Sequence, residues 1–327
     1  MEGSTPSGSQ NWPIETQKLE GHRESIWLVV FSPDGQQLAS CSGDKTIHIW
    51  TINEQGQFQL AQRLEGHQFR VNSAAFSSNG DYLASCSSDK RIVLWKSDLL
   101  GRSRVFRVSQ MLEGHTYSVN SVAFSPDIKW LASGSSDQII KLWRPDRDRR
   151  FQLSQSLKGH ASRINSVAFL RNGARLASCS DDKRILIWHA HSAFSFWLVQ
   201  KLDGHQSSVN SIAISPAGET FASCSDDKTI NIWQVDGQGR YHLVQILKGH
   251  LFWVNSVAFS PTGHWLASAS SDETILVWQA DTSGRFQQAR KLRGHTSSVH
   301  AVAFSPDKEH LASGSSDNTI RIWRHKN

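Results

Sequence analysis

The chain has 327 residues, a formal net charge of +6, four cysteines and 38% hydrophobic residues. No apolar run approaches the roughly 18 residues of a membrane-spanning helix, and so mild a positive excess permits an acidic partner without requiring one. The cysteines (Cys41, Cys86, Cys179, Cys224) form no Cys-x-x-Cys pair, so they offer no zinc-binding or thioredoxin-like motif, and free thiols favour a reducing, cytoplasmic setting.

Residues 1–11 are rich in Ser, Gly, Pro and Thr with no apolar segment, which reads as a disordered tail rather than a secretory signal. Residues 12–327 are expected to form a single folded domain. Within it, Gly-His followed 28 residues later by Trp occurs seven times, always at that spacing. The units start near 20, 65, 113, 158, 203, 248 and 293, at intervals of 45 residues with one of 48. A fixed period in this range marks one supersecondary unit repeated into an array.

The fifth unit shows the pattern. Residues 209–214 alternate small and apolar side chains and suit a strand. Ser215-Pro216-Ala217-Gly218 is a turn, because Pro fixes φ and Gly permits positive φ. Residues 221–224 and 230–233 give two more strands around a tight turn at Asp226, Asp227 and Lys228. After a polar loop, residues 241–247 make a fourth. Four strands per unit form a four-stranded blade. The three extra residues of the long interval fall in 96–105, expected as a loop joining the third and fourth strands of blade two. The cysteines occupy one slot of the repeat, which is filled elsewhere by Gly134, Ala269 and Gly314. A place shared by Cys, Gly and Ala is tight and apolar.

These units resemble WD40 repeats over nearly the whole chain, because each carries the four residues of that family's hydrogen-bonding tetrad. The sets are His22, Ser40, Asp44 and Trp50; His67, Ser85, Asp89 and Trp95; His115, Ser133, Asp137 and Trp143; and His160, Ser178, Asp182 and Trp188. They continue with His205, Ser223, Asp227 and Trp233; His250, Ser268, Asp272 and Trp278; and His295, Ser313, Asp317 and Trp323. The resemblance implies an all-β, seven-bladed propeller. It also implies that the indole donates to the Ser hydroxyl, the hydroxyl to one imidazole nitrogen, and that the other nitrogen meets the Asp. The last unit ends on its third strand, whereas residues 15–19 match a fourth-strand ending. The N-terminal strand is therefore expected to complete the C-terminal blade.

Ser, His and Asp in a chain suggest a hydrolase triad, but seven identical copies, each with a Trp donor on the Ser, fit a structural staple better. None of the tetrad histidines has a second His or Cys at ligand spacing, and no phosphate-binding Gly motif is present. No catalytic residue, metal or cofactor is expected.

In the family, the loop after Gly-His and the turn before the Asp open on one face around the central channel, where partners bind. Three slots per blade point there: three and five residues after the His, and one before the Asp. The second slot holds Asn72, Asn120, Asn165, Asn210 and Asn255, but Trp27 and His300 in the other two units. The first slot includes Arg70, Arg163 and Trp253, with Phe252 beside it; Phe69 and Tyr117 lie in the same loops. Trp27, Trp253 and His300 come from neighbouring blades of a closed ring, and exposed aromatic residues are common interface anchors. Lys45, Lys90, Lys183 and Lys228, with Arg91 and Arg184, add a basic patch to this face. A second basic group, residues 144–150 with Arg102, Arg104 and Arg107, is expected in solvated loops opposite.

The expected function is a non-enzymatic scaffold: a monomeric propeller, within a larger complex, that binds protein or peptide on the Gly-His face. An acidic ligand, nucleic acid included, is the alternative for the basic residues, although nucleic acid would call for interleaved aromatics. The repeats resemble both the regular arrays of bacterial and fungal regulatory proteins and the adaptors of iron–sulfur protein assembly.

Overall fold

The computed structural model describes residues 14–100, 103–170, 173–192 and 195–324. The tail expected over 1–11, residues 12 and 13, and Arg102 lie outside them. The described residues form seven four-stranded antiparallel sheets and no helix. Blade one is Ile26–Phe31, Gln37–Ser42, Thr46–Ile52 and Phe58–Glu65, in spatial as in chain order. Blades two to six repeat this order. The innermost strands touch in a closed circle, in which Ile26–Phe31 lies against both Val71–Phe76 and Val299–Phe304. The molecule is thus a closed, seven-bladed propeller.

Closure follows the expected route. Ile14–Leu19 pairs antiparallel with Ile320–Arg324, Glu15 opposite Trp323 and Leu19 opposite Ile320, and so supplies the fourth strand of blade seven. Glu15 and Arg321 add an ion pair across this junction. The ring leaves each blade two short edges, one at the channel and one outside, both protected by the neighbouring blades.

The core lies between blades. One cluster joins Leu19, Ala301, Ala312, Ile320 and Ile322 of blade seven to Ile26, Val29, Leu38, Trp50 and Phe58 of blade one. Second strands such as Leu-Ala-Ser-Cys-Ser are buried throughout because a neighbouring blade covers each face, whereas fourth strands are mostly exposed and bury one residue near each end. A Cβ added at Gly134 would come within 2.6 Å of Ile164 of the next blade, and one at Gly314 equally close to Ile26. The four cysteines in the same slot are free and fully buried, and burial pushes their thiols far up in pKa.

The fourth strands are latched in series. Gln17, Gln62, Gln110, Gln155, Gln200 and Gln245 each exchange two side-chain hydrogen bonds, at 2.6–2.9 Å, with the backbone of Phe58, Phe106, Phe151, Phe196, Tyr241 and Phe286 on the following blade. These six aromatic residues are buried. Arg290 occupies the Gln position at the remaining junction.

One expectation is corrected. Residues 96–100 and 103–105, expected in a loop, are strand: Ile92–Leu100 pairs with Ser103–Leu112, so that Ser97 faces Phe106 and Leu99 faces Arg104. Extra residues flanking a turn are added to both strands because each new pair gains ladder hydrogen bonds.

Candidate functional site

All seven tetrads have one geometry. The indole N–H donates to the Ser hydroxyl at 2.8–2.9 Å, and the hydroxyl meets His Nε2 at 2.8 Å. His Nδ1 lies 2.7–2.9 Å from the Asp carboxylate. With Asp as acceptor, Nδ1 carries the proton and Nε2 accepts from Ser. Every serine is fully buried, and its oxygen both accepts and donates, so no hydroxyl is left to act as a nucleophile. Burial alone would raise the pKa of the Asp carboxyls. Hydrogen bonds from the His, from the backbone and, in four blades, from a Thr outweigh it and lower all seven, furthest in the four blades with the Thr.

The same bonds fix the three slots. In each blade the third-slot N–H donates to the first-slot carbonyl at 2.9–3.1 Å, as from Ser88 to Arg70 and from Asp181 to Arg163. The five second-slot asparagines, expected as contact residues for a partner, have a structural engagement. Asn72, Asn120, Asn165, Asn210 and Asn255 donate to the carbonyls of Val119, Ile164, Val209, Val254 and Val299 of the next blade at 2.8–2.9 Å, clamping blades two to seven in sequence. Each also donates to the third-slot Ser or Asp of its own blade.

Trp27 and His300 replace this amide at the two remaining junctions, seven to one and one to two. Their rings stack with centroids 4.3 Å apart. His300 is anchored to Ser316 at 2.7 Å, and the Arg70 guanidinium covers Trp27, 4.4 Å from its ring. The aromatic stack therefore bridges blades seven, one and two. The expectation that Trp27, Trp253 and His300 stand exposed together is corrected: Trp27 and His300 are half-buried by this stacking, and only Trp253 stands out, 57% exposed.

These residues surround a cavity of about 430 Å³ at the channel mouth, lined by Trp27, Arg70, Arg163, Trp253, His300, Asp226 and the five asparagines. Arg163 is paired with Asp181 at 2.5 Å. Arg70 uses its Nε on Asn72 at 2.8 Å and Ser88 at 3.3 Å. Partial burial, and then the positive charge of Arg163, lower the Arg70 pKa.

On the rim, Leu251, Phe252 and Trp253 are consecutive and exposed, with Phe69 and Tyr117 exposed in the corresponding loops. Leu251 was not among the expected site residues. The signal was present, since other units carry Arg23, Gln68, Thr116, Ala161, Gln206 and Thr296 in its position. Lys90 lies over Tyr117 and Lys228 over Phe252. Lys45, Lys90, Lys183 and Lys228 all hold φ near +70°, as do Gln138, Glu273 and Asn318 in the other blades, so this slot is a left-handed turn position. Arg91 and Arg184 are turned to Glu113 and Asp203, which removes part of the expected basic patch. In the second basic group, Arg104 bonds Gly80 and Ser97, Arg144 covers Trp130, and Asp146 accepts the N–H groups of Asp148 and Arg150.

Blade one holds a feature the repeat spacing does not indicate. His22, Asp44 and the buried His48 place possible metal-ligand atoms within 4.8 Å of one another. The rings of His22 and His48, however, stack at 3.7 Å with only 13° between their planes. An ion in the plane of one ring then lies well outside the plane of the other, so both lone pairs cannot reach it, and the trio does not fit a metal. His48 Nδ1 has no hydrogen-bond partner among the described residues. Burial, followed by the charge of His22 and against the opposing charge of Asp44, lowers its pKa to about 4.

The model of the WD domain, G-beta repeat (WD40) matches residues 14–51, 58–96, 106–144, 151–189, 196–234, 241–279 and 286–324. Among curated proteins, the chain is 58% identical over 33 residues to a probable cytosolic iron-sulfur protein assembly protein CIAO1 homolog of Chlamydomonas reinhardtii, 10% of this chain and 9% of the relative. It is 46% identical over 57 residues to the probable cytosolic iron-sulfur protein assembly protein 1 of Sclerotinia sclerotiorum, 17% of this chain and 12% of the relative. It is 59% identical over 39 residues to the vegetative incompatibility protein HET-E-1 of Podospora anserina, 12% of this chain and 3% of the relative. These alignments span about one repeat, a small part of each relative.

Proposed function

The chain belongs to the WD40-repeat family, and from that premise we propose that it is a non-enzymatic scaffold that binds protein or peptide partners on its Gly-His face. The observation that carries this is the rim of Leu251, Phe252 and Trp253, 65%, 57% and 57% exposed, beside a polar well containing Trp27, His300, Arg70 and Arg163. Large apolar side chains exposed in series and flanked by arginine have the composition of an interface centre. The asparagines belong to the frame of this site and are engaged in clamps. No described helix is long and apolar enough to cross a membrane.

The partner set is best tested by capture on the immobilised full chain, comparing it with a Phe252→Ala/Trp253→Ala variant and an Arg147→Ala variant on the opposite face. A set of proteins kept by the chain and by Arg147→Ala but lost by the double variant supports this face. Equal capture by all three removes it.

A second reading is a cytosolic role as an adaptor in iron–sulfur protein assembly, as one propeller within a larger complex. It is favoured by the short, highly identical matches to two proteins so described. Recovery of iron–sulfur assembly components in the same capture experiment would support it, and their absence would remove it.

A further inference from the structure

The Arg70 guanidinium is held on two sides and open on a third. Its Nε is engaged by Asn72 and Ser88, and its flat face rests on Trp27, which in turn rests on His300. Both of these hydrogen bonds come from Nε; the two terminal nitrogens make none among the described residues, and Arg70 is exposed. Arg163, by contrast, already has the Asp181 carboxylate. The mouth therefore presents one arginine that is oriented and stacked but not paired with a carboxylate, in a well whose other lining is Arg163, Asp226, amides, hydroxyls and aromatic rings.

We propose that this well takes a carboxylate side chain, Asp or Glu, of a peptide partner, held end-on by the two terminal nitrogens of Arg70; this rests on the reading of the Gly-His face as the binding face. Two parallel N–H groups match the two oxygens of a carboxylate, and a guanidinium already fixed by stacking loses little freedom on binding. The charge balance selects among anions. Arg70 and Arg163 share the mouth with Asp226, which lines it, and Asp181, which neutralises Arg163. A monoanion satisfies Arg70, whereas a dianionic phosphate meets the two acidic side chains as well. The polar well and the apolar rim together fit an acidic residue flanked by apolar ones.

The test uses the full chain and two blocked peptides, Ac-Leu-Gly-Glu-Gly-Leu-NH2 and its Gln counterpart, with inorganic phosphate as competitor. Binding is followed by NMR at the Arg70 Nε–H and the Trp27 indole N–H. The Glu peptide is expected to shift both signals saturably and to bind at least tenfold more tightly than the Gln peptide. Arg70→Ala should abolish the preference, and Arg70→Lys, which keeps the charge but not the fork, should weaken the Glu peptide at least fivefold. Equal affinity for the two peptides, phosphate displacing the Glu peptide at lower concentration than the monocarboxylate acetate does, or a preference that survives Arg70→Ala would overturn the proposal. Phe252→Ala/Trp253→Ala reports on the scaffold reading separately. Loss of the Glu preference alongside intact partner capture counts against the carboxylate site alone, and a preserved preference with partner capture unaffected by the double variant counts against the rim alone.

Discussion

The indole of Trp27 stacks on the imidazole of His300, 4.3 Å between centroids, at the junction where the first repeat meets the last. The five asparagine clamps cover the other junctions, so this stack stands where two clamps are missing. Trp27→Ala removes contacts to both His300 and Arg70 and is expected to cost about 1–3 kcal/mol. His300→Asn, which offers an amide to the carbonyl of Ile26, should cost less. Urea denaturation of both variants decides the order.

If the N-terminal strand is an integral part of blade seven, Leu19 is a core residue, and it is only 4% exposed between Ile26 and Ile320. Leu19→Ala should therefore destabilise by about 2–5 kcal/mol, as much as Leu64→Ala at the corresponding place in blade one. A small loss at Leu19 beside a large one at Leu64 would mean that the strand is dispensable.

Removing a tetrad hydroxyl leaves an indole N–H and an imidazole nitrogen buried and unpaired. Ser223→Ala is expected to lower stability by about 1–3 kcal/mol in a thermal or denaturant melt. Partner binding at the rim of blade six should be unaffected, because Trp233 and His205 belong to blade five and act only by holding its loop.

Acid should unfold the protein in two ranges. His48 is 3% exposed and has its pKa lowered to about 4, against roughly 6.5 in an unfolded chain. Between those values the unfolded chain binds more protons. Stability is therefore full above about pH 6.5 and falls toward pH 4, by up to about 3 kcal/mol for this residue. His300, lowered to about 4 by burial and then by the charge of Arg70, titrates in the same range. The tetrad carboxyls also have depressed values; their contribution is full above about pH 4, the unfolded range, and fades as pH falls through the folded ones. Replacing His48 with Val, the residue blade two carries as Val93, should reduce the loss between pH 6.5 and 4, leaving the part due to His300 and the more acidic loss in place. An unchanged profile would show that His48 does not report this linkage.

The sequence alone determined the blade, its seven-fold repetition and the route of closure. The tetrad lies within one repeat at fixed separations, and each strand buries side chains in a pattern that the same repeat displays. The 45-residue period then requires neighbours of the same shape, and residues 15–19 match the fourth-strand endings of the other units, the place they take beside Ile320–Arg324.

Contacts between repeats, by contrast, follow from the packing of the ring. Asn165 reads as a surface residue from its position in a loop, yet its partner is Val209, 44 residues on, brought near by the angle between blades. The recurrence of Asn in five of seven units is a signal of a frame residue, which the reading of these positions as partner contacts passes over. Nothing local indicates that Trp27 would be half-buried between His300, 273 residues later in the chain, and Arg70, or that His48 would stack on His22 with its Nδ1 unpartnered. Periodicity fixes which face of a strand is buried. The ring geometry fixes what that face meets, and at a single unusual residue such as Arg70 the charge and openness of the site depend on the neighbouring blades alone.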